Sequence, residues 1–282
     1  MSNNLKKEEL KNNTWVPLKY DLMAKKVFGD EKDLRPIKFL LKQILDINAE
    51  KVIILNNEII DKPYKDKKYS VDLIVEVEGK KIGVEVNTNV TPYVIDRNVF
   101  FMTRIMSRDL KPSEEYSELN SHIQINFDIK GKHKKPIMEY ELMDKETHEV
   151  LTDKMKIYRI DVEYFYRICY NKNASIKEKF IGLFNEEDKE KAKELIKGDE
   201  DMKSIYDKID DLSDNIVGVY DRESRKRAEF NYELKEAREN GLKEGKRTMV
   251  LNMLHESIDI NTISKVSGLS IEEIESIKNN KL

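Results

Sequence analysis

Two carboxylates set against each other are the residues in this sequence most able to do chemistry. In the stretch Ser70 to Asn87, SVDLIVEVEGKKIGVEVN, the apolar residues Val71, Leu73, Val75 and Val77 alternate with polar ones, Glu78-Gly79 interrupts, and Ile82, Val84 and Val86 resume the alternation. The spacing predicts a β-hairpin closed by Glu78 and Gly79, in which Val71 faces Val86, Leu73 faces Val84 and Val75 faces Ile82. Asp72 then stands directly opposite Glu85. Opposed Cβ atoms lie about 4.5–5.5 Å apart, and like charges so placed destabilise a sheet. A cation between them removes the conflict. A hard divalent ion is the simplest choice, because Mg²⁺ takes one or two carboxylates and keeps positions for water and a phosphate. Asn87 shares that face and can hydrogen-bond a water or a phosphate oxygen. The competing reading is a hydrated sheet face on which Glu76 and Lys81 form an ordinary cross-strand ion pair. A turn one residue longer would also shift the register and remove the opposition.

The elements around this hairpin must hold it. Tyr20, Leu22, Met23, Val27 and Phe28 recur at helical spacing, with Asp21 and Lys25 one turn apart beside them. A second helix over Asp33 to Leu45 buries Ile37, Leu40, Leu41, Ile44 and Leu45, with Pro36 in its first turn. Val52 to Ile60 reads as a strand ended by Asp61-Lys62-Pro63. After the hairpin, Thr91-Pro92 opens a long helix to about Arg108, whose Val94, Val99, Phe100, Met102, Ile105 and Met106 are expected to pack on the sheet. Strands follow at His122 to Asp128, Ile137 to Met143 and Met155 to Val162. The fold class is α/β: a mixed sheet with flanking helices, followed by an all-helical C-terminal region.

Composition bounds the function classes. The chain has 282 residues, 39% hydrophobic and 37% charged, with a net charge of −3, so a nucleic-acid partner must meet a local basic surface rather than a basic protein. The densest basic run is Lys130 to Lys135, which includes Lys132 and Lys134. Cys169 is the single cysteine, and the four histidines lack metal-ligand spacing, which excludes a disulfide framework and a histidine or cysteine zinc site. The opening residues lack a signal-like apolar run, and no stretch approaches the roughly 20 apolar residues that span a bilayer, so a cytoplasmic location without a membrane partner is expected. No GxxxxGK[ST], GxGxxG or GxSxG motif occurs.

Asp72, the turn, and Glu85-Val86-Asn87 together resemble the Asp…Glu-x-Lys core of PD-(D/E)XK nucleases, most closely the PD-(D/E)XK family transposases of the recombination-promoting nuclease type. The segments DLMAKKVFGD (Asp21 to Asp30) and TPYVIDRNVFFMTRIMSRDLKPSEEYSELNSHIQINF (Thr91 to Phe127) resemble that family's opening helix and its crossover helix with the next strand. The resemblance implies a restriction-endonuclease-like sheet over residues 1–160 and a metal-dependent DNA endonuclease linked to mobile-element recombination. It assigns Mg²⁺, with Mn²⁺ or Ca²⁺ as alternatives, to Asp72, Glu85 and the Val86 carbonyl. The resemblance makes Asp21 an accessory ligand or water-positioning group, against a plain Asp21–Lys25 surface pair, and Arg97 a phosphate contact, against a structural ion pair on a solvated helix face; the basic run itself offers Lys132 and Lys134 to a phosphate backbone or is a solvated loop. The third position, usually Gln in this branch and Lys in the wider superfamily, is here Asn87, which can orient a water but carries no charge.

Beyond residue 160 the pattern is helical, with a helical subdomain over 161–219 whose Tyr164, Phe165 and Tyr166 read as core. Over 220–282 a long helix from Asp221 to His255 carries Phe230, Leu234, Ala237, Gly241 and Gly245 on one stripe, which suits pairing with a second copy. The last segment places Ile263, Val266, Leu269, Ile274 and Ile277 around Gly268 at helix-turn-helix spacing. Its second helix carries Glu272, Glu273 and Glu275, which repel phosphates and favour a packing module over a DNA reader. A different class of function therefore stands beside the nuclease: a weak or inactive family member acting as an oligomeric interaction or DNA-binding protein.

Overall fold

The computed structural model of the chain describes residues 14–55, 72–110 and 113–279, without the side chains of 219–229 and 231. Val71, the Asp61-Lys62-Pro63 break and the expected strand beyond Leu55 lie outside the described residues. The alternating stretch builds β2 (Leu73–Val77) and β3 (Lys80–Asn87), paired Leu73 to Val84 and Val75 to Ile82. Glu78 and Gly79 have φ of 49° and 72°. Two successive left-handed residues make the type I′ turn, whose twist matches that of the strands. The hairpin and its register are therefore as the alternation requires.

Four more strands complete the sheet. β1 (Ile53–Leu55) pairs antiparallel with β2, and β4 (Ser121–Asp128) runs parallel to β3. At the far side β6 (Val150–Asp161) runs parallel to β4, and β5 (Ile137–Met143) lies antiparallel at the edge. The order is β1-β2-β3-β4-β6-β5. β6 starts earlier than the expected Met155, because Val150 to Thr152 continue the pairing with β5 past an irregularity at Glu141 and Leu142.

The two faces of the sheet differ in chemistry. On one, Val75, Ile82, Ile125 and Phe127 are fully buried. The helices α1 (Asp21–Phe28), α2 (Arg35–Leu45), α4 (Val162–Ile168) and α5 (Ile176–Leu183) supply the rest of that core. The Phe127 ring stacks on Phe184 at 4.1 Å, Phe184 stacks on Phe28 at 5.9 Å, and Phe180 meets Phe28 and Phe39 edge-on. On the opposite face β4 presents His122, Gln124, Asn126 and Asp128, all at most 2% exposed. Buried polar side chains need partners, and the crossover helix α3 (Pro92–Met106), capped by the Thr91 hydroxyl, covers this face and supplies one of them. Asn98 Nδ2 donates to Asn126 Oδ1 at 2.6 Å.

That arrangement corrects the expected orientation of α3. Asn98, Phe101 and Met102 are its buried residues, whereas Val99 and Phe100 are 39% and 48% exposed. The helix turns a polar residue inward because the sheet beneath it is polar. Gly83 belongs to the same face: a Cβ there would stand 2.4 Å from Gln124 Oε1, so the buried Gln124 needs bare backbone beside it. Lys81 pairs with Asp109, which also holds His122 Nε2 at 2.5 Å. The expected Glu76–Lys81 ion pair is thus replaced, although the two residues are cross-strand neighbours.

Among the described residues the remaining α-helices are α6 (Lys189–Leu195), α7 (Glu200–His255), α8 (Ile260–Ser267) and α9 (Ile271–Asn279). The chain divides into two compact units, up to Val217 and from Gly218 onward. In the first, Phe165, Phe180, Phe184, Ile205 and Ile209 are core, while Tyr164 and Tyr170 keep 42% exposure each. α7 begins at Glu200, well before the expected Asp221. In the second unit Val250, Ile263 and Ile274 form a small core with Met253, Leu254, Leu269 and Ile277 around them. Gly268 ends α8 at φ 68°, and Ser270 with Glu273 forms the expected capping box. Val266, expected in this core, is 59% exposed.

Candidate active site

The ladder between β2 and β3 ends at Leu73 and Val84, and one residue further Asp72 and Glu85 take over its work. The Val86 N–H donates to Asp72 Oδ2 at 2.9 Å, and the Asp72 N–H donates to Glu85 Oε1 at 3.1 Å. Each carboxylate is thereby pinned to the other's strand. Glu85 is 3% exposed and Asp72 half-buried, which speaks against a fully hydrated face.

Two carboxylates held together away from water resist ionisation. Burial, and after it the negative charge of Asp72, raises the Glu85 carboxyl to about 8. Burial also raises Asp72 to about 6, with Asp21 adding to the rise and the Val86 N–H, Arg97 and Lys25 opposing it. Asp21 and Lys25 of α1 are therefore near enough for their charges to act on Asp72. Asp21 Oδ1 accepts from the Leu22 N–H at 2.8 Å within its own helix turn.

Arg97 of α3 is brought to the same place. Its Nη2 lies 3.6 Å from Glu85 Oε2 and donates to Asn87 Oδ1 at 3.3 Å, with the guanidinium 5.8 Å from the Phe101 ring centroid. Asn87 is 4% exposed, and its amide Nδ2 donates to Asp128 Oδ1 at 3.0 Å. The Asn87 side chain is thus spent between Arg97 and Asp128. Asp128 in turn accepts from Arg159 through Nε and Nη2 at 2.9 and 2.8 Å, and His133 Nε2 lies 2.9 Å from its Oδ2. The His133 N–H donates to Asp161 Oδ2 at 3.1 Å, so the basic loop after β4 is tied down beside the site. Lys132 and Lys134 are exposed on that loop.

Of the residues singled out in the sequence, Asp72, Glu85, Asn87, Arg97 and Asp21 converge here. Val86 lies between the two β3 polar residues and contributes its N–H. Asp128, Arg159, Asn98 and Asn126 were not anticipated. The one signal for them is that a strand with polar residues at every second position, His122 to Asp128, follows a helix too apolar to lie on open solvent.

A model of the family described as PD-(D/E)XK nuclease family transposase matches residues 18–239. That span is most of the chain and includes every site residue above. The chain belongs to this family. Membership supports a nuclease-like role connected with recombination, and members of the wider nuclease group typically use divalent metals. No curated protein and no solved structure matches the chain. No helix among the described residues is long and apolar enough to cross a membrane.

The residues fit a hard divalent ion. The donors are carboxylate oxygens, and both acids sit above the usual carboxylate range even with Arg97 beside them. Among the described residues no group of three or more His, Cys, Asp or Glu is placed to hold a metal ion. An ion here would rest on two carboxylates and keep open positions, as catalysis on a phosphate requires.

Proposed function

We propose that the chain is a divalent-metal-dependent DNA endonuclease acting in mobile-element recombination. The observation that carries the reading is the Asp72–Glu85 pair, with Glu85 buried and Asp72 half-buried, each carboxylate latched to the other's strand and Arg97 beside Glu85. Asp72, Glu85 and the Val86 carbonyl would hold Mg²⁺, or Mn²⁺ or Ca²⁺ in its place. When bound, such an ion supplies an ionised water at neutral pH and polarises the scissile phosphodiester. The protein's part is geometric and electrostatic. The two N–H latches fix both carboxylates, and Arg97 offers the negative charge that develops on the phosphate a guanidinium beside Glu85. Asn87 is a positioning residue for Arg97, supported from behind by Asp128. Asp21 completes the acidic rim, and Lys132 and Lys134 meet the DNA backbone.

Nicking of supercoiled plasmid in Mg²⁺, Mn²⁺ or EDTA tests the reading. Metal-dependent nicking supports it, and none in any metal by folded protein overturns it. In that assay Arg97→Gln is expected to lower the rate roughly 10²-fold, the scale of losing one preorganised charge-stabilising donor. Arg97→Lys should recover only part, because a lysine cannot reproduce the guanidinium fork. Equal rates for wild type and Arg97→Gln would remove Arg97 from the mechanism.

The long helix supports a homodimer. Phe230, Leu234 and Leu242 of α7 are 60%, 52% and 64% exposed, more apolar surface than an isolated charged helix keeps in water. Sedimentation of the wild type is expected to give a dimer, and Leu234→Asp a monomer that stays folded. A monomeric wild type would discard this surface. A dimer without nicking would instead point to the oligomeric interaction protein.

A further inference from the structure

Beside the carboxylate pair, on the polar face of the sheet, lies a cavity of about 260 Å³. One wall is α3, through Val94, Ile95 and Val99, and the other is Ile157 with Tyr140. Beneath the walls lie Asn98, Asn126 and Asp128, each at most 5% exposed, with Arg159; their polar atoms are largely bonded to one another, so the surface the cavity presents is mainly apolar. Asn87 belongs to both the cavity and the site, and Asn98 follows Arg97 directly in α3. A nucleotide whose phosphate meets Arg97 therefore lies at the mouth of this cavity. The volume falls just under the range of about 300–1,000 Å³ for drug-sized ligands and suits a single flat ring.

Apolar walls suit the faces of a flat ring, and the Arg159 N–H groups not given to Asp128 are left for a polar atom at its edge. Arg159 gives Nε and Nη2 to Asp128, and a guanidinium carries five N–H donors in all. Asn126 Nδ2 donates to the Tyr158 carbonyl at 3.2 Å, which fixes its oxygen toward Asn98 and makes the floor rigid. Ile95, Val99 and Tyr140 are 37%, 39% and 42% exposed, so the walls open to solvent. We propose that this cavity receives an unpaired nucleobase next to the scissile phosphate, so that the enzyme selects DNA with mismatched, extrahelical or single-stranded nucleotides over paired duplex. The inference rests on the nuclease reading. Extruding a base costs least where it is already unpaired, which is the origin of the selectivity.

The test uses the full chain and a duplex with one extrahelical adenine analogue whose fluorescence is quenched by stacking, in EDTA so that no cleavage occurs. Binding is followed separately by anisotropy. Expected is a rise in fluorescence on binding by the wild type, as the base leaves its stacking neighbours for largely aliphatic walls, and no rise in Val99→Trp and in Ile95→Trp, which fill the cavity from an exposed helix face. With metal, the wild type should cut the extrahelical substrate roughly tenfold faster than its paired counterpart, and Val99→Trp should bring that ratio to about one. Binding without a rise in fluorescence, or a ratio of about one in the wild type, overturns the cavity's role. So does failure to bind either DNA. Nicking of paired plasmid reports on the catalytic reading alone, so the two failures are distinguishable.

Discussion

Asp72→Asn and Glu85→Gln are each expected to abolish metal-dependent nicking, by roughly 10³-fold or more, while making the metal-free protein more stable rather than less. The loss follows from the role: a group needed to hold the reaction's cation cannot be spared by the other, and removal of one member of such a unit costs orders of magnitude. The gain in stability follows from the latches. An amide oxygen at either position can still accept the backbone N–H that the carboxylate now accepts, Val86 to residue 72 and Asp72 to residue 85. What disappears is the cost of keeping an acid protonated at neutral pH where burial and the neighbouring carboxylate oppose its charge. A stabilisation of about 1–2 kcal/mol is expected in urea unfolding, on the scale by which neutral isosteres improve strained buried charge. Nicking that survives either substitution would remove that carboxylate from the site. Variants less stable than wild type would show that the pair supports the fold instead of straining it.

The part of this site that lies within one hairpin was legible in the sequence because strand alternation and turn chemistry are local. Val75 facing Ile82 and two left-handed turn residues are enough to set Asp72 against Glu85. The opening helix and the crossover helix were readable for the same reason. What was not legible is which partner a polar residue takes from a distant element. Lys81 has Glu76 opposite it in the ladder and chooses Asp109, since Asp109 also closes over His122. Asn87 looked like a water-positioning group, but its amide is engaged by Asp128, forty-one residues on. The side of α3 that faces inward was misread because helical periodicity assigns the apolar stripe to the core. Here the sheet beneath is polar, and Asn98 displaces Val99 from the contact. The composition of one element was thus set by the chemistry of another, which no local pattern records.

The raised carboxyls also make stability and metal affinity depend on pH in opposite directions. For a group whose folded value exceeds its unfolded value, stability is fully present below the unfolded value, here the ordinary carboxylate range near pH 4, and is lost as pH rises through the folded value. The window for the metal-free protein is therefore from about pH 4 up through Asp72 at about 6 and Glu85 at about 8. Over it the unfolded chain has released the protons that the folded pair still binds. In EDTA the melting temperature attributable to this pair should fall between pH 5 and 8, and the same comparison in the Asp72→Asn, Glu85→Gln double variant should lack that fall. A divalent ion reverses the sign, because it binds the doubly ionised pair and must displace whatever proton remains. Affinity for Mn²⁺ should then rise by up to about tenfold per pH unit below the Glu85 value. Calorimetry at pH 7 in two buffers of different ionisation enthalpy should detect close to one proton released per ion bound. Metal uptake without proton release, or a wild-type melting profile in EDTA that matches the double variant, would show that the pair is already ionised. Arg97 sharpens the test, since its charge favours the ionised form of both acids. Arg97→Gln should therefore move the proton release to higher pH, separating its electrostatic effect on the pair from its contact with a phosphate.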